Sequence, residues 1–299
     1  MNPSSSLAMD AGLGFEYDAA YFNGKLSDWT AISIGTISGK LLNTLRTQPY
    51  PRDGVVLDFG CGNGAYHSYL RQSSLAVVGA DVSPEAVKHA RQLPYQSVLL
   101  IEPGTRPLPD NSATIVFSTE VLEHIEDAEG AIREFNQMLK PDGLLILTTT
   151  LYFSSINVYL STAIQQKHSP AQVVRETLAY VAGFFSQRQQ ERFVRKWCYE
   201  ALGGHFHGFK TGALKTMIQR AGFNVIESAP LYIFPPIGFS RYSSMASVKG
   251  AFRFPLNLVM MAAVLVISLL NGCLKRLKIG ANNIYLVARK IQPAEAGRH

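Results

Sequence analysis

Residues 55–64 read VVLDFGCGNG, an apolar run that carries one acid and is then broken by three glycines at alternate positions. Val55, Val56, Leu57 and Phe59 have the composition of a buried strand, and Gly60, Gly62 and Gly64 end it before a helical pattern predicted to begin near Ala65. Glycines between a strand and a helix N-terminus let backbone N–H groups approach a ligand closely, and the helix dipole there favours polar or anionic atoms. The loop reads as a nucleotide cradle, with a plain glycine turn as its bland rival.

The next strand sharpens that reading. LAVVGAD (75–81) is a second buried run ending in an acid, and Asp81 lies 21 positions beyond Gly60, where nucleotide folds place a carboxylate to accept hydrogen bonds from ribose hydroxyls. Gly60, Gly62 and Ala65 also satisfy the dinucleotide fingerprint GxGxxG/A, which keeps an NAD(P)-dependent oxidoreductase among the readings. Asp58 argues against it, because a carboxylate two residues before the first glycine suits a ligand with an ammonium group and sits poorly beside a pyrophosphate. A local role, in which Asp58 caps nearby backbone N–H groups, is the alternative.

Further along, SPEAVKHARQL (83–93) is predicted as a helix capped by Ser83 with Pro84 at its first position, and SVLLIE (97–102) and ATIVFST (113–119) as strands. A helix within residues 126–143 ends at Pro141 and Gly143 and leads into LLILTTT (144–150). KTGALKTMIQRAG (210–222) is an amphipathic helix, FNVIESA (223–229) a sixth strand and NNIYLVARK (282–290) a last one. Alternating strands and helices imply a mostly parallel sheet covered on both faces. Residues 151–204 and 231–281 are too long for ordinary connections and are predicted insertions.

Composition narrows the class without choosing the chemistry. The chain has 299 residues, 47% hydrophobic and 17% charged, enough to bury a substantial core. Its net charge of +6 is scattered without a long basic run, no RNA-binding module is visible, and no nucleic acid is expected as a partner. Cys61, Cys198 and Cys273 are far apart with no CxxC pair, so a disulfide framework or zinc site is not indicated and a cytoplasmic setting is the expectation. No basic stretch followed by an apolar one opens the chain, so no cleaved leader is expected.

VLDFGCGNG, VVGADVSPEAVKHAR, PLPDNSATIVFSTEVLEHIED, LKPDGLLILTTT and HFHGFKTGALKTMIQRAGFNVIES resemble, in that order, successive motifs of class I S-adenosylmethionine-dependent methyltransferases, nearest the group that includes ubiquinone-biosynthesis enzymes. The resemblance covers about residues 53–150 and 205–229 plus the final strand. It implies a Rossmann-like seven-stranded, mostly parallel α/β sheet with an antiparallel last strand, here with a helical lid and a hydrophobic helical insertion. It divides the chain into an N-terminal helical region (1–50), a cofactor-binding half (51–150), a lid (151–204), a continuation (205–230), a hydrophobic insertion (231–281) and a final strand (282–291). The cofactor implied is S-adenosylmethionine. By the same resemblance Asp58, Gly60, Cys61, Gly62 and Gly64 hold its methionine part, Asp81 and Val82 its ribose, and Thr119 lies at the cofactor. Where relatives carry an acid before the LP pair this chain has Gly104 and Thr105, with Glu102 as the substitute for the adenine contact; Thr114 replaces an aspartate usual in the fourth strand. A non-catalytic scaffold of methyltransferase fold is therefore a further reading.

A sulfonium is already an activated leaving group, so such an enzyme aligns an acceptor lone pair with the S–CH₃ bond and excludes water. A hydroxyl acceptor gains from a base or a metal. In STEVLEHIED (118–127), Glu120, Glu123 and His124 fall at i, i+3 and i+4 and would share a helix face, and His205 and His207 precede the penultimate helix. Glu123, His124 and His205 are the candidate catalytic residues. Glu120, Glu123, His124 and His205 are also a candidate divalent-metal set, by analogy with the site proposed for small-RNA 2′-O-methyltransferases and some ubiquinone-pathway enzymes, although the base and purely structural readings rank above it.

Two segments bear on the acceptor. ETLAYVAGFF (176–185) spaces Leu178, Val181 and Phe185 as an apolar stripe, and RQQERFVRKW (188–197) sets Arg188, Arg192, Arg195 and Lys196 beside Phe193, Val194 and Trp197. A solvated helix with a buried stripe, a surface for anionic lipid headgroups and a nucleic-acid surface are the competing readings. Tyr17, Tyr21, Phe22 and Trp29 are candidates to close the cleft from the other side. Residues 254–274 carry no charge between Arg253 and Lys275, but a single crossing would separate the final strand from its sheet; Lys249, Arg253, Lys275, Arg276 and Lys278 flank the segment as expected of an interfacial helix. A buried helix is its rival. The expectation is a small or lipid-linked acceptor met on the cytoplasmic face of an anionic membrane by a peripheral protein.

Overall fold

The computed structural model describes residues 28–102, 105–166, 168–199, 204–232 and 283–292. Tyr17, Tyr21, Phe22, Gly104 and the apolar segment 254–274 lie outside them.

Seven strands form one sheet: β1 Val55–Phe59, β2 Ala76–Asp81, β3 Ser97–Leu100, β4 Ala113–Thr119, β5 Leu139–Thr150, β6 Phe223–Tyr232 and β7 Asn283–Lys290. Their order is β3-β2-β1-β4-β5-β7-β6, and only the pairs made by β7, with β5 and β6, are antiparallel. The Rossmann-like sheet with an antiparallel last strand is thus the observed fold. The order of strand addition reverses between β1 and β4, so the carboxyl ends of β1, β2 and β4 meet at the switch point where ligands bind in open α/β sheets.

Helices α1 Asp28–Thr47, α2 His67–Leu70, α3 Pro84–Ala90, α4 Ala128–Met138, α5 Ser155–Gln165, α6 Pro170–Gly183, α7 Gln187–Trp197 and α8 Thr211–Arg220 complete the described elements, with short 3₁₀ turns between some of them. Strand residues alternate between two cores. Leu57, Phe59, Val116, Leu145, Leu147 and Leu286 face Ile132, Phe135, Leu214 and Ile218 of α4 and α8. Val56, Val77, Ile115, Phe117, Ile146 and Val287 face Ile37, Leu41, Leu45 and Leu70 of α1 and α2. Both faces of the central strands are dry, which is why they read as continuous apolar runs rather than alternating ones.

Two elements differ from expectation. The helix expected from Ala65 is the four-residue α2, followed by a 3₁₀ turn at Arg71–Ser73. Ser74 then takes φ 63°, and Ser73 Oγ accepts the Leu75 N–H, a local bond that competes with continuing the helix. At the other end, β5 starts at Leu139 rather than Leu144, because Leu139 pairs with Ala113 before a register shift at Ala113/Ile115.

The segment after β5 builds a small core of its own from Tyr152, Tyr159, Tyr180, Phe193, Val194 and Cys198. Ser169 caps α6 with a full capping box through Gln172. Glu176 is buried and accepts from Lys196 Nζ at 2.8 Å and Trp197 Nε1 at 3.0 Å, which locks α6 to α7. Tyr152 Oη donates to the Tyr180 carbonyl at 2.8 Å, and a side chain on Gly183 would meet that hydroxyl at 2.0 Å.

Candidate active site

The glycine loop is tied down from β2. The N–H groups of Gly60 and Cys61 both donate to the Ala80 carbonyl, at 2.7 and 3.1 Å. Gly60 has φ +72°, and a Cβ there would stand 2.3 Å from Val121 Cγ2, so only glycine fits. Asp81 completes the turn: its carboxylate accepts from the Gly62 N–H at 2.8 Å and the Ser83 N–H at 2.9 Å. Burial raises its pKa and these amides work against the rise. Val82 is half-buried beside it, and Cys61 is buried with its thiol pushed up by burial and by the neighbouring acids, so it stays protonated, in keeping with a loop residue rather than a nucleophile.

Asp58 is 3% exposed and accepts a hydrogen bond from Tyr95 Oη at 2.6 Å. Burial lifts its pKa to about 7, with Asp81 adding to the rise and the Tyr95 bond opposing it. A buried acid held near neutrality is poised for a cationic partner, which restores its charge. The ligand-free protein bears a cost in consequence. Because the folded pKa lies above the unfolded one, this group's contribution is fully favourable below about pH 4 and is lost as pH rises to about 7. Asp58→Asn removes that titration, and we expect the unliganded variant to gain roughly 4 kcal/mol at pH 8 and little at pH 4. Urea denaturation at the two pH values checks this; equal gains at both would contradict it.

The acids and histidines after β4 do not lie on one helix face. Glu120 sits at φ 53°, and Leu122–His124 is a three-residue 3₁₀ turn. The reversed backbone sends the two carboxylates to different partners. Glu120 accepts from Thr148 Oγ1 at 2.6 Å and from Asn283 Nδ2. Glu123, fully buried, accepts from Thr149 Oγ1 at 2.8 Å and Thr150 Oγ1 at 2.9 Å, while its carbonyl accepts the Phe206 and His207 N–H groups. Those last bonds bring His205 in: its ring meets the His124 ring edge-on at 4.5 Å. Glu123, His124 and His205 each offer a ligand atom within 4.8 Å of the others, without Glu120. His207 points elsewhere, its Nε2–H donating to the Ile125 and Glu126 carbonyls at 3.1 and 2.9 Å.

Burial lowers His205 to about 4, against the pull of Glu123, so its imidazole is neutral at pH 7. Burial and repulsion from Glu123 raise Glu120 well above the usual carboxylate range, while Glu123 is lowered against its own burial by attraction to the histidines when they carry charge and by the hydrogen bond from Thr149. The cluster therefore sets one carboxyl shifted up and one shifted down beside an imidazole that is neutral at pH 7. Thr119 is half-buried at the end of β4, and Glu102 is exposed one residue beyond Ile101, in a turn closed by Thr105.

Tyr95, Thr148–Thr150 and Asn283 were not among the sequence candidates. The threonine triplet at the carboxyl end of an apolar strand was a readable signal, since hydroxyls there need acceptors. Tyr95 left none, because its partner is 37 positions away.

Residues 34–228 match a family model described as "Methyltransferase domain". The chain belongs to this methyltransferase family. By family and by fold it is a class I S-adenosylmethionine-dependent methyltransferase, and S-adenosylmethionine is the cofactor the family implies. Among curated proteins, the methyltransferase is 33% identical over 107 residues to a ubiquinone biosynthesis O-methyltransferase of Cereibacter sphaeroides, covering 34% of this chain and 43% of that protein. It is 32% identical over 96 residues to a malonyl-[acyl-carrier protein] O-methyltransferase of Yersinia pestis, covering 32% and 36%. The aligned region thus spans less than half the length of these relatives. A methyltransferase solved in complex with the Haloferax volcanii Trm112 activator shares the fold, with TM-score 0.55 at 15% identity over 91% of this chain and 97% of that one.

Proposed function

We propose that this methyltransferase carries a methyl group from S-adenosylmethionine to an oxygen of a small, lipid-like or lipid-linked acceptor, as a peripheral protein on the cytoplasmic face of a membrane. The observation that carries the oxygen assignment is the neutral His205 imidazole beside the buried Glu123 carboxylate. A hydroxyl must lose its proton to become a good nucleophile; His205, neutral at pH 7, is free to accept one, and the Glu123 carboxyl works against the burial that lowers the imidazole's pKa. Two similar proteins are named as O-methyltransferases, one of ubiquinone biosynthesis, which fits the same reading.

The residues fit the cofactor. Asp58 has the charge and the raised pKa for an ammonium group, Gly60, Gly62 and Gly64 take positive φ and present a loop backbone without side chains, and Asp81 would hold the ribose. Bound there, the cofactor supplies an electrophilic methyl carbon on a sulfonium leaving group. The Glu123 carbonyl, by accepting the Phe206 and His207 N–H groups, holds the segment that carries His205 beside His124, and on this reading His205 accepts the hydroxyl proton as the oxygen attacks. Among the described residues no helix is long and apolar enough to cross a membrane.

A second reading has its own observation, since one carboxylate and two imidazoles are a donor set for a divalent ion. Trideuteromethyl-labelled S-adenosylmethionine, incubated with detergent-solubilised phenolic and acyl acceptors and analysed by mass spectrometry, tests both. Oxygen-linked label formed at the same rate in excess chelator is the expected result. Label on nitrogen or carbon overturns the oxygen assignment, and loss of product on chelation turns the histidine pair into metal ligands.

A further inference from the structure

Asp58 has one hydrogen-bond partner among the described residues, the Tyr95 hydroxyl, which donates to its Oδ2 at 2.6 Å. The other carboxylate oxygen, Oδ1, has no donor among them, although the side chain is almost wholly buried. Buried carboxylate oxygens are ordinarily paired, so an open one points to a donor that a ligand supplies.

Tyr95 is held in place by the fold and not by Asp58. Its N–H donates to the Leu93 carbonyl and the Gln96 N–H to the Val77 carbonyl of β2, both at 2.8 Å, which fixes the backbone turn. The ring lies over Gly79 of β2, where a Cβ would stand 3.2 Å from Cε1, and its edge meets Gly64 of the glycine loop, where a Cβ would stand 3.3 Å from Cε2. The His67 ring of α2 packs on it at 4.2 Å and donates to the Pro94 carbonyl. Burial, and then the charge of Asp58, raise the Tyr95 phenol, so Oη keeps its proton and remains a donor. The other titratable groups around Asp58 are Asp81 at the end of β2 and Cys61 in the glycine loop, with His67 behind Tyr95; burial pushes the thiol up and the imidazole down.

We propose that Tyr95 is a positioning residue for the cofactor: its hydroxyl fixes the Asp58 carboxylate through Oδ2 and leaves Oδ1 to accept from the cofactor's ammonium group. This rests on the reading that Asp58 answers that group. The same bond favours the charged form of Asp58 against burial and the Asp81 charge, and the carboxyl titrates at about 7 with the bond in place. Without it the acid would stay protonated to higher pH and would offer the ammonium a neutral partner. Tyr95 thereby sets the lower edge of the pH range over which the cofactor is held.

Calorimetric titration of S-adenosylmethionine into the full-length wild type, Tyr95→Phe, Asp58→Asn and the double variant, between pH 6 and pH 8.5, tests the proposal. Phenylalanine keeps the ring on Gly79 and His67, so Tyr95→Phe should hold its fold, which circular dichroism and thermal melting check. Loss of one hydrogen bond to a charged acceptor should raise the proton affinity of Asp58 by about tenfold. Tyr95→Phe is then expected to bind roughly tenfold more weakly than the wild type at pH 6 and within about twofold of it at pH 8.5, the ligand's own titration cancelling in the ratio. In the Asp58→Asn background the same substitution should have no pH-dependent effect, which separates Asp58 from His67 and Asp81. A deficit of one size at every pH, or none at all, overturns the proposal and leaves the Asp58 reading standing, because Tyr95 then only packs. If Asp58→Asn binds as tightly as the wild type at pH 8.5, the Asp58 reading fails and the proposal falls with it.

Discussion

Asp81→Ala is expected to weaken S-adenosylmethionine by about 100-fold or more, with only a modest loss of fold stability. Each carboxylate oxygen holds one backbone amide, Gly62 on the loop and Ser83 at the cap of α3, at 2.8 and 2.9 Å. Alanine releases both. The Ala80 carbonyl still ties Gly60 and Cys61 to β2, so the strand end survives and the loop beyond it loosens. On the proposed reading the remaining lone pairs of Asp81 would accept from the ribose hydroxyls, at about 1.5–3 kcal/mol for each bond to a charged group, and the ordering of the loop must be regained on binding. Calorimetric titration checks the affinity and circular dichroism the fold. A variant with wild-type affinity would remove Asp81 from the cofactor site.

Glu123→Ala is expected to cost about 3–5 kcal/mol of stability and to abolish methyl transfer. The carboxylate is fully buried, and its removal strands the Thr149 and Thr150 hydroxyls without acceptors and leaves a polar cavity, at about 1–3 kcal/mol for each orphaned group. The backbone bonds from Phe206 and His207 persist, because they go to the Glu123 carbonyl. Relief from the Glu123 charge should also let Glu120 ionise at lower pH than in the wild type. Glu123→Gln separates the two roles: it keeps the volume and one acceptor, so it should lose far less stability in urea while still failing to stabilise a protonated His205. If Glu123→Gln turns over normally, the carboxylate is a structural tie and the proton goes elsewhere.

Much of this arrangement was legible before any coordinates. β1, β2 and β4 are buried on both faces and therefore spell themselves out as apolar runs, and Asp58, Gly60 and Asp81 take their positions from strand ends whose spacing the chain itself sets. What could not be read was anything that depends on local backbone reversal or distant pairing. Glu120, Glu123 and His124 have helical spacing, but Glu120 at φ 53° turns the chain before a helix can form, and the histidine partner arrives from residue 205 through a carbonyl, not through a side-chain pattern. Tyr95 reaches Asp58 only because the loop before β3 folds over β1. The stripe of Leu178, Val181 and Phe185 was visible as a period, yet periodicity does not say which face a neighbour covers, and here the packed face is the one with Glu176 and Tyr180.

If the loop between Asp58 and Asp81 holds S-adenosylmethionine, with Asp58 answering its ammonium group, calorimetric titration of the full chain with S-adenosylmethionine and with NADH at pH 8 and pH 6 will show it. S-adenosylmethionine should bind and NADH should not, with affinity falling by roughly tenfold at pH 6 in the wild type as Asp58 takes up a proton, and no such fall in Asp58→Asn. NADH bound in its place, no binding of either ligand, or the same pH dependence in both proteins would contradict it.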